Sequence, residues 1–137
     1  MPRPKKPPPA AAPPAPADAE RKPERWALSA ADAATATLTI PPDAGRDRQF
    51  EIACAITVAV PDDGRSGTSK AWHQMTVQAN GAQQWRRRLD SENPGAWDGL
   101  DYRFRRVVAL GQALRITVAV ASGGARRRSL TIEADEV

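Results

Sequence analysis

The chain has 137 residues with 13 Pro, one Cys and one His, and its 20 basic residues exceed its 16 acidic ones by four. That length holds one small domain, and a single Cys excludes an intramolecular disulfide, while one Cys with one His falls short of the roughly four Cys or His ligands of a structural zinc site. No run approaches the roughly 20 consecutive apolar residues of a membrane-spanning helix.

Nine of the prolines lie in residues 1–25, where Ala and charged residues fill most of the rest. Proline lacks an amide donor and fixes φ, so this stretch is read as a disordered or polyproline II tail, with a β domain over residues 26–137. The start, Met1-Pro-Arg-Pro-Lys-Lys, is basic like the head of a signal peptide, but Pro7 to Pro16 stand where an apolar segment should follow. A cytoplasmic home is therefore expected. The charge excess is concentrated here: six basic against three acidic residues up to Arg25, and fourteen against thirteen beyond it. Pro4 to Pro7 also has the spacing and basic flanks that polyproline-reading grooves accept, although such tails commonly serve as linkers.

Beyond the tail, Ser29-Ala-Ala-Asp32 matches a capping box, which predicts a turn or two of helix. Ala36, Leu38 and Ile40 then alternate with Thr35, Thr37 and Thr39 as a strand that Pro41-Pro42 stops. Residues 50–60 give the clearest period of two: Phe50, Ile52, Cys54, Ile56, Val58 and Val60 share one face, and Glu51, Ala53, Ala55, Thr57 and Ala59 the other. Strands over 69–78 and 82–89 are joined through Asn80-Gly81. A type I turn with a G1 bulge at Gly81 would pair Met75 with Trp85, Val77 with Gln83 and Ala71 with Leu89, which brings apolar residues together. A loop over 90–99 leads to a strand over 100–108 with Tyr102 and Phe104 on one face. Leu114 to Val120 alternate next, and a Ser122-Gly-Gly124 turn leads to a last strand with Leu130 and Ile132 inward. About seven strands over these 112 residues suit an antiparallel β-sandwich of the immunoglobulin-like kind, with a small barrel or a jelly roll as alternatives. The Cys…Trp…Cys framework of true immunoglobulin domains is absent.

Arginine supplies the first candidate site. By the periodicities above, Arg86, Arg88, Arg103, Arg105, Arg115 and Arg127 lie on faces opposite the apolar residues. If their strands are neighbours, they form one guanidinium-studded sheet surface that suits phosphate, carboxylate or nucleic-acid backbone. The near-neutral charge of the domain favours the blander reading, a solvated face whose arginines are balanced by acids. The 16 Arg against 4 Lys also fit a GC-rich, bacterial coding sequence.

Tryptophan supplies the second. Trp72 and Trp97, near amide side chains such as Gln74, suit stacking on sugar faces. Trp97, in the 91–99 loop, is the one expected to be exposed, against the simpler outcome that it folds back to plug the end of the sandwich. Asp62-Asp63-Gly64 and Asp98-Gly99-Leu100-Asp101 offer oxygens to calcium but lack an EF-hand spacing, and no metal is assigned. Cys54 is mid-strand among aliphatic residues, and His73 has no second His to work with, so no catalytic residue and no cofactor is expected. No motif assigns an activity. The expectation is a non-enzymatic interaction module that binds a protein or polyanionic partner, with carbohydrate binding, or a place in an enzyme or larger assembly, as alternatives. A monomer is expected, or a weak dimer through the strand Phe50 to Val60 if its edge is uncovered.

Overall fold

A computed structural model describes residues 21–61, 70–91 and 95–137. Among the described residues, eight strands follow one another without a helix: β1 (Arg25–Ser29), β2 (Thr35–Ile40), β3 (Arg48–Ala59), β4 (Trp72–Ala79), β5 (Ala82–Asp90), β6 (Trp97–Val108), β7 (Leu114–Gly123) and β8 (Arg126–Glu136). They form two antiparallel four-stranded sheets of order β1-β8-β3-β6 and β2-β7-β4-β5. The sandwich expected from the period-two runs is what forms. Its pairing is nested, with β1 on β8, β2 on β7, β3 on β6 and β4 on β5. That nesting, with eight strands in two sheets, is the jelly-roll arrangement rather than the immunoglobulin-like one. Among the described residues, no helix is long and apolar enough to cross a membrane.

Period two explains the core. On β3, Phe50, Ile52, Cys54, Ile56 and Val58 are buried, and the first four meet Met75 and Val77 of β4, Ile116 and Val118 of β7, and Leu130 and Ile132 of β8 in one cluster with other inward aliphatics. Burying each such side chain contributes about 2 kcal/mol. Since β3 is paired on one side with β6 and on the other with β8, its edge is covered and cannot join a second chain.

Two local expectations are corrected. Residues 29–32 are not helical; β1 occupies Arg25–Ser29, and Ala31 turns the chain into β2 at a φ of 49°. β1 escapes the periodicity because only Trp26 and Leu28 mark its inward face. At the hairpin, Asn80 and Gly81 both take positive φ, 50° and 83°, so the turn has two residues and pairs Ala79 with Ala82. The parity problem is solved further along instead. Gln78 pairs with Gln83 and Val77 with Trp85, leaving Gln84 as the extra residue of a bulge. Leu89 accordingly pairs with His73, not Ala71.

The end of the sandwich that carries Asn80-Gly81 is locked by charge. Arg48 is 4% exposed and donates to Glu24 Oε1 at 2.8 Å and to the Pro41 carbonyl at 2.8 Å, with its guanidinium over the Phe50 ring. Arg46 holds both carboxylate oxygens of Glu136, and the Glu24 and Glu136 backbones bond to one another's residues. Arg48 is the buried charge of the set, and removing its Glu24 partner would leave it uncompensated at a cost of about 3 kcal/mol. Arg21 and Glu24 thus belong to this lock and Arg25 opens β1, whereas residues 1–20 of the expected tail lie outside the described residues.

These environments make stability depend on pH and hide the thiol. Hydrogen bonding from Arg46 holds the Glu136 carboxyl below its ordinary range, and the Gly45 amide, with Arg21, does the same for Asp43. Both groups bind protons more readily when unfolded, so their stabilisation is complete above about pH 4.5 and is lost as pH falls through their lowered folded values. The melting temperature should drop on acidification below that point, and Glu136→Gln should flatten the drop. Burial pushes the Cys54 thiol up to about 12. A thiol reagent at pH 8 should therefore leave Cys54 unlabelled until denaturant is added.

Candidate functional site

The two sheets present unlike outer faces. On the β1-β8-β3-β6 face, arginines and acids alternate across strands: Arg25 lies against Glu133 and Asp135, and Arg103 and Arg105 share Glu51 at 3.8 and 3.7 Å. On the β2-β7-β4-β5 face the cross-strand rows are polar and mostly uncharged. Thr37 meets Thr117 at 3.0 Å, Thr39 is opposite Arg115, and Gln74 and Thr76 are opposite Arg88 and Arg86. Arg86 donates to Gln74 Oε1. Arg88 sits 3.7 Å above the Trp72 ring. Trp72 in turn lies over Gly123, its partner on β7, where any β-carbon would collide with the indole.

The six arginines singled out by periodicity therefore do not share one sheet surface. Arg86, Arg88 and Arg115 stand on one outer face, and Arg103 and Arg105 on the other, because β5 and β7 belong to one sheet and β6 and β8 to the other. Arg127 is on neither. A bulge in β8 skips Arg128, so Ser129 pairs with Thr57 but Arg127 with the inward-facing Val58. This reverses its parity beyond the last core layer, and Arg127 donates instead to the Asp32 carbonyl.

What the nested pairing does bring together is the side of the sandwich where β5 ends one sheet and β6 ends the other. Trp85 and Tyr102 close this side with rings stacked at 4.6 Å and 8°, and Phe104 continues the row. Around them stand Arg86, Arg87 and Arg88 on β5 and Arg103, Arg105 and Arg106 on β6, against Asp90, Asp98 and Asp101 on the same strands. Arg106 reaches across to Gln84 Oε1, the extra residue of the β5 bulge. Among the described residues, Arg86, Arg87, Arg88 and Arg106 have no carboxylate partner, whereas Arg25, Arg103 and Arg105 do. Arg87 and Arg106 escape detection by periodicity because their parity points inward; only an edge strand lets such side chains reach water. The opposite side, β1 and β2, carries one charged residue, Arg25.

A second feature lies at the end of the sandwich away from Asn80-Gly81. Trp97 does not fold back as a plug. It opens β6, is 60% exposed and stacks beneath Arg128, the residue displaced by the β8 bulge, at 4.2 Å. It borders an open groove of about 570 Å³ together with Ala59, Val60, Pro61 and Arg126. His73 is an internal strut at this end: its Nε2–H donates to the Gly99 carbonyl at 3.3 Å, and its Nδ1 accepts from the Ser91 hydroxyl at 2.7 Å. Gly99 is required there, since a β-carbon would meet the Ile56 carbonyl. Asp98 accepts the Gly99 amide, while Asp62-Asp63-Gly64 lies outside the described residues.

No family model and no curated protein matches the chain. Among solved structures it is similar to dimeric latent PorU from Porphyromonas gingivalis, at 16% identity and a TM-score of 0.48, over 81% of this chain and 10% of that one. The chain thus spans about a tenth of the length of that neighbour.

The Trp72 arrangement is open to test by Gly123→Val. Its side chain should lift the indole off β7 and separate it from Arg88, red-shifting tryptophan emission without unfolding the protein; an unchanged spectrum would contradict the packing.

Proposed function

We propose that the protein is a non-enzymatic interaction module that binds an anionic partner along the β5/β6 rim. The observation that carries this reading is the set of rim arginines without a carboxylate among the described residues, while arginines on the β1-β8-β3-β6 face are paired. Guanidinium groups so placed are already oriented, Arg88 by Trp72, Arg86 by Gln74 and Arg106 by Gln84, and an oriented guanidinium loses little freedom on meeting a phosphate or carboxylate. The cytoplasmic and bacterial setting expected from composition goes with this reading.

Titration with heparin at low salt, followed by amide shifts, should move residues of β5 and β6 and weaken as salt is added. Arg86→Glu with Arg88→Glu should reduce affinity at least tenfold, while Arg115→Glu and Arg127→Glu, away from the rim, should leave it within about twofold. Rim amides that stay in place at saturating heparin would refute the proposal.

Saccharide binding is a second reading, favoured by the exposure of Trp97 beside its groove. Trp72, covered by Arg88, adds nothing to it. Loss of sugar-dependent fluorescence in Trp97→Ala would support it, and a glycan array without hits would remove it.

A further inference from the structure

The rim holds an unused pairing surface as well as charge. β5 is the last strand of its sheet: β4 occupies one edge, and among the described residues no strand occupies the other. In an antiparallel strand about half of the backbone N–H and C=O groups point to each side. Nine residues of β5 therefore leave several donors and acceptors directed outward, an arrangement to which another extended chain can add.

The side chains along this edge state which chain is acceptable. The outward row offers Arg86 and Arg88, about 7 Å apart as alternate residues of a strand. The inward row offers the half-buried Trp85 and Leu89 with Arg87 between them. A second copy is a poor occupant. Antiparallel self-pairing centred on Arg87 would set Arg86 opposite Arg88 and Arg87 opposite itself, and directly opposed like charges destabilise a sheet. The three consecutive arginines thus disfavour a basic strand or a second copy at this edge and are complementary to an acidic one. β6 makes a weaker demand of this kind, because Asp98 and Asp101 lie on it and Glu51 already serves Arg103 and Arg105.

We infer that β5 accepts an extended acidic segment of a partner protein as a fifth strand of the β2-β7-β4-β5 sheet. Acidic residues at every second position meet Arg86 and Arg88, and intervening apolar residues lie over Trp85 and Leu89. This rests on the rim reading above and adds main-chain pairing to it, a feature that a sulfated polysaccharide does not use.

The test uses the full chain and five probes: a seven-residue peptide alternating Glu and Val, two versions of it N-methylated on the amides of one edge or of the other, its Lys-for-Glu counterpart, and a single-stranded oligonucleotide. The acidic peptide should bind, slow hydrogen exchange at outward amides of residues 83–90, and lose at least tenfold in affinity when N-methylated on the pairing edge; the Lys peptide should not bind. If methylation of neither edge weakened binding, strand addition would be overturned and an electrostatic rim would stand. Binding of the oligonucleotide at β5 with the acidic peptide inert would assign the rim to nucleic acid and overturn the inference. If neither these probes nor heparin binds, the rim reading falls with it.

Discussion

Parity is the constraint on which the rest of this structure depends. Each strand must keep one alternate set of side chains between the sheets, and a slip of a single residue would turn the whole set to water. β3 meets the requirement over its whole length without interruption, with five inward side chains from Phe50 to Val58 fully buried. β5 and β8 meet it only by setting one residue aside. The residues set aside, Gln84 and Arg128, are not idle: Gln84 receives Arg106 across the open side of the sandwich, and Arg128 covers Trp97. Repairs of register have thus become the points where the surface is organised.

The same constraint governs how much of the fold is legible in the sequence. Strands β2 through β8 are legible because alternation over six or more residues suits a half-buried strand and little else. The face assigned to Arg86, Arg88, Arg103, Arg105 and Arg115 is legible for the same reason, since direction within a strand is a local property. Which sheet each strand joins is not local. It depends on pairings between residues as distant as Leu28 and Ile132, and nothing in either segment names the other. Periodicity consequently groups the arginines on one surface, whereas two sheets divide them. The hairpin shows a subtler limit. Asn80-Gly81 announces a tight turn, but whether one residue is absorbed in the turn or three residues later is decided by packing against β7 and the facing sheet.

Charge is distributed with comparable economy. Where arginine lies over a face shared by several strands, as at Glu51 or Glu133, acids neutralise it. Where it enters the interior, as at Arg48, both carboxylate and carbonyl receive it. Along β5, by contrast, Arg86, Arg87 and Arg88 have no carboxylate partner among the described residues. A near-neutral domain is therefore compatible with a strongly basic edge, which an average over the chain conceals.

The nested pairing also orders the events by which the chain finds its structure. β4 and β5 are separated by two residues, β3 and β6 by the whole of that hairpin, β2 and β7 by more, and β1 and β8 by nearly the entire domain. Loop closure costs entropy that rises with the enclosed length, so the cheapest first contact is the Asn80-Gly81 hairpin, and each later pair closes over one already formed. Loop-closure entropy alone thus favours an order that runs from the middle of the sequence outward. The Glu24, Arg46, Arg48 and Glu136 cluster, which joins both extremities, would be the final latch.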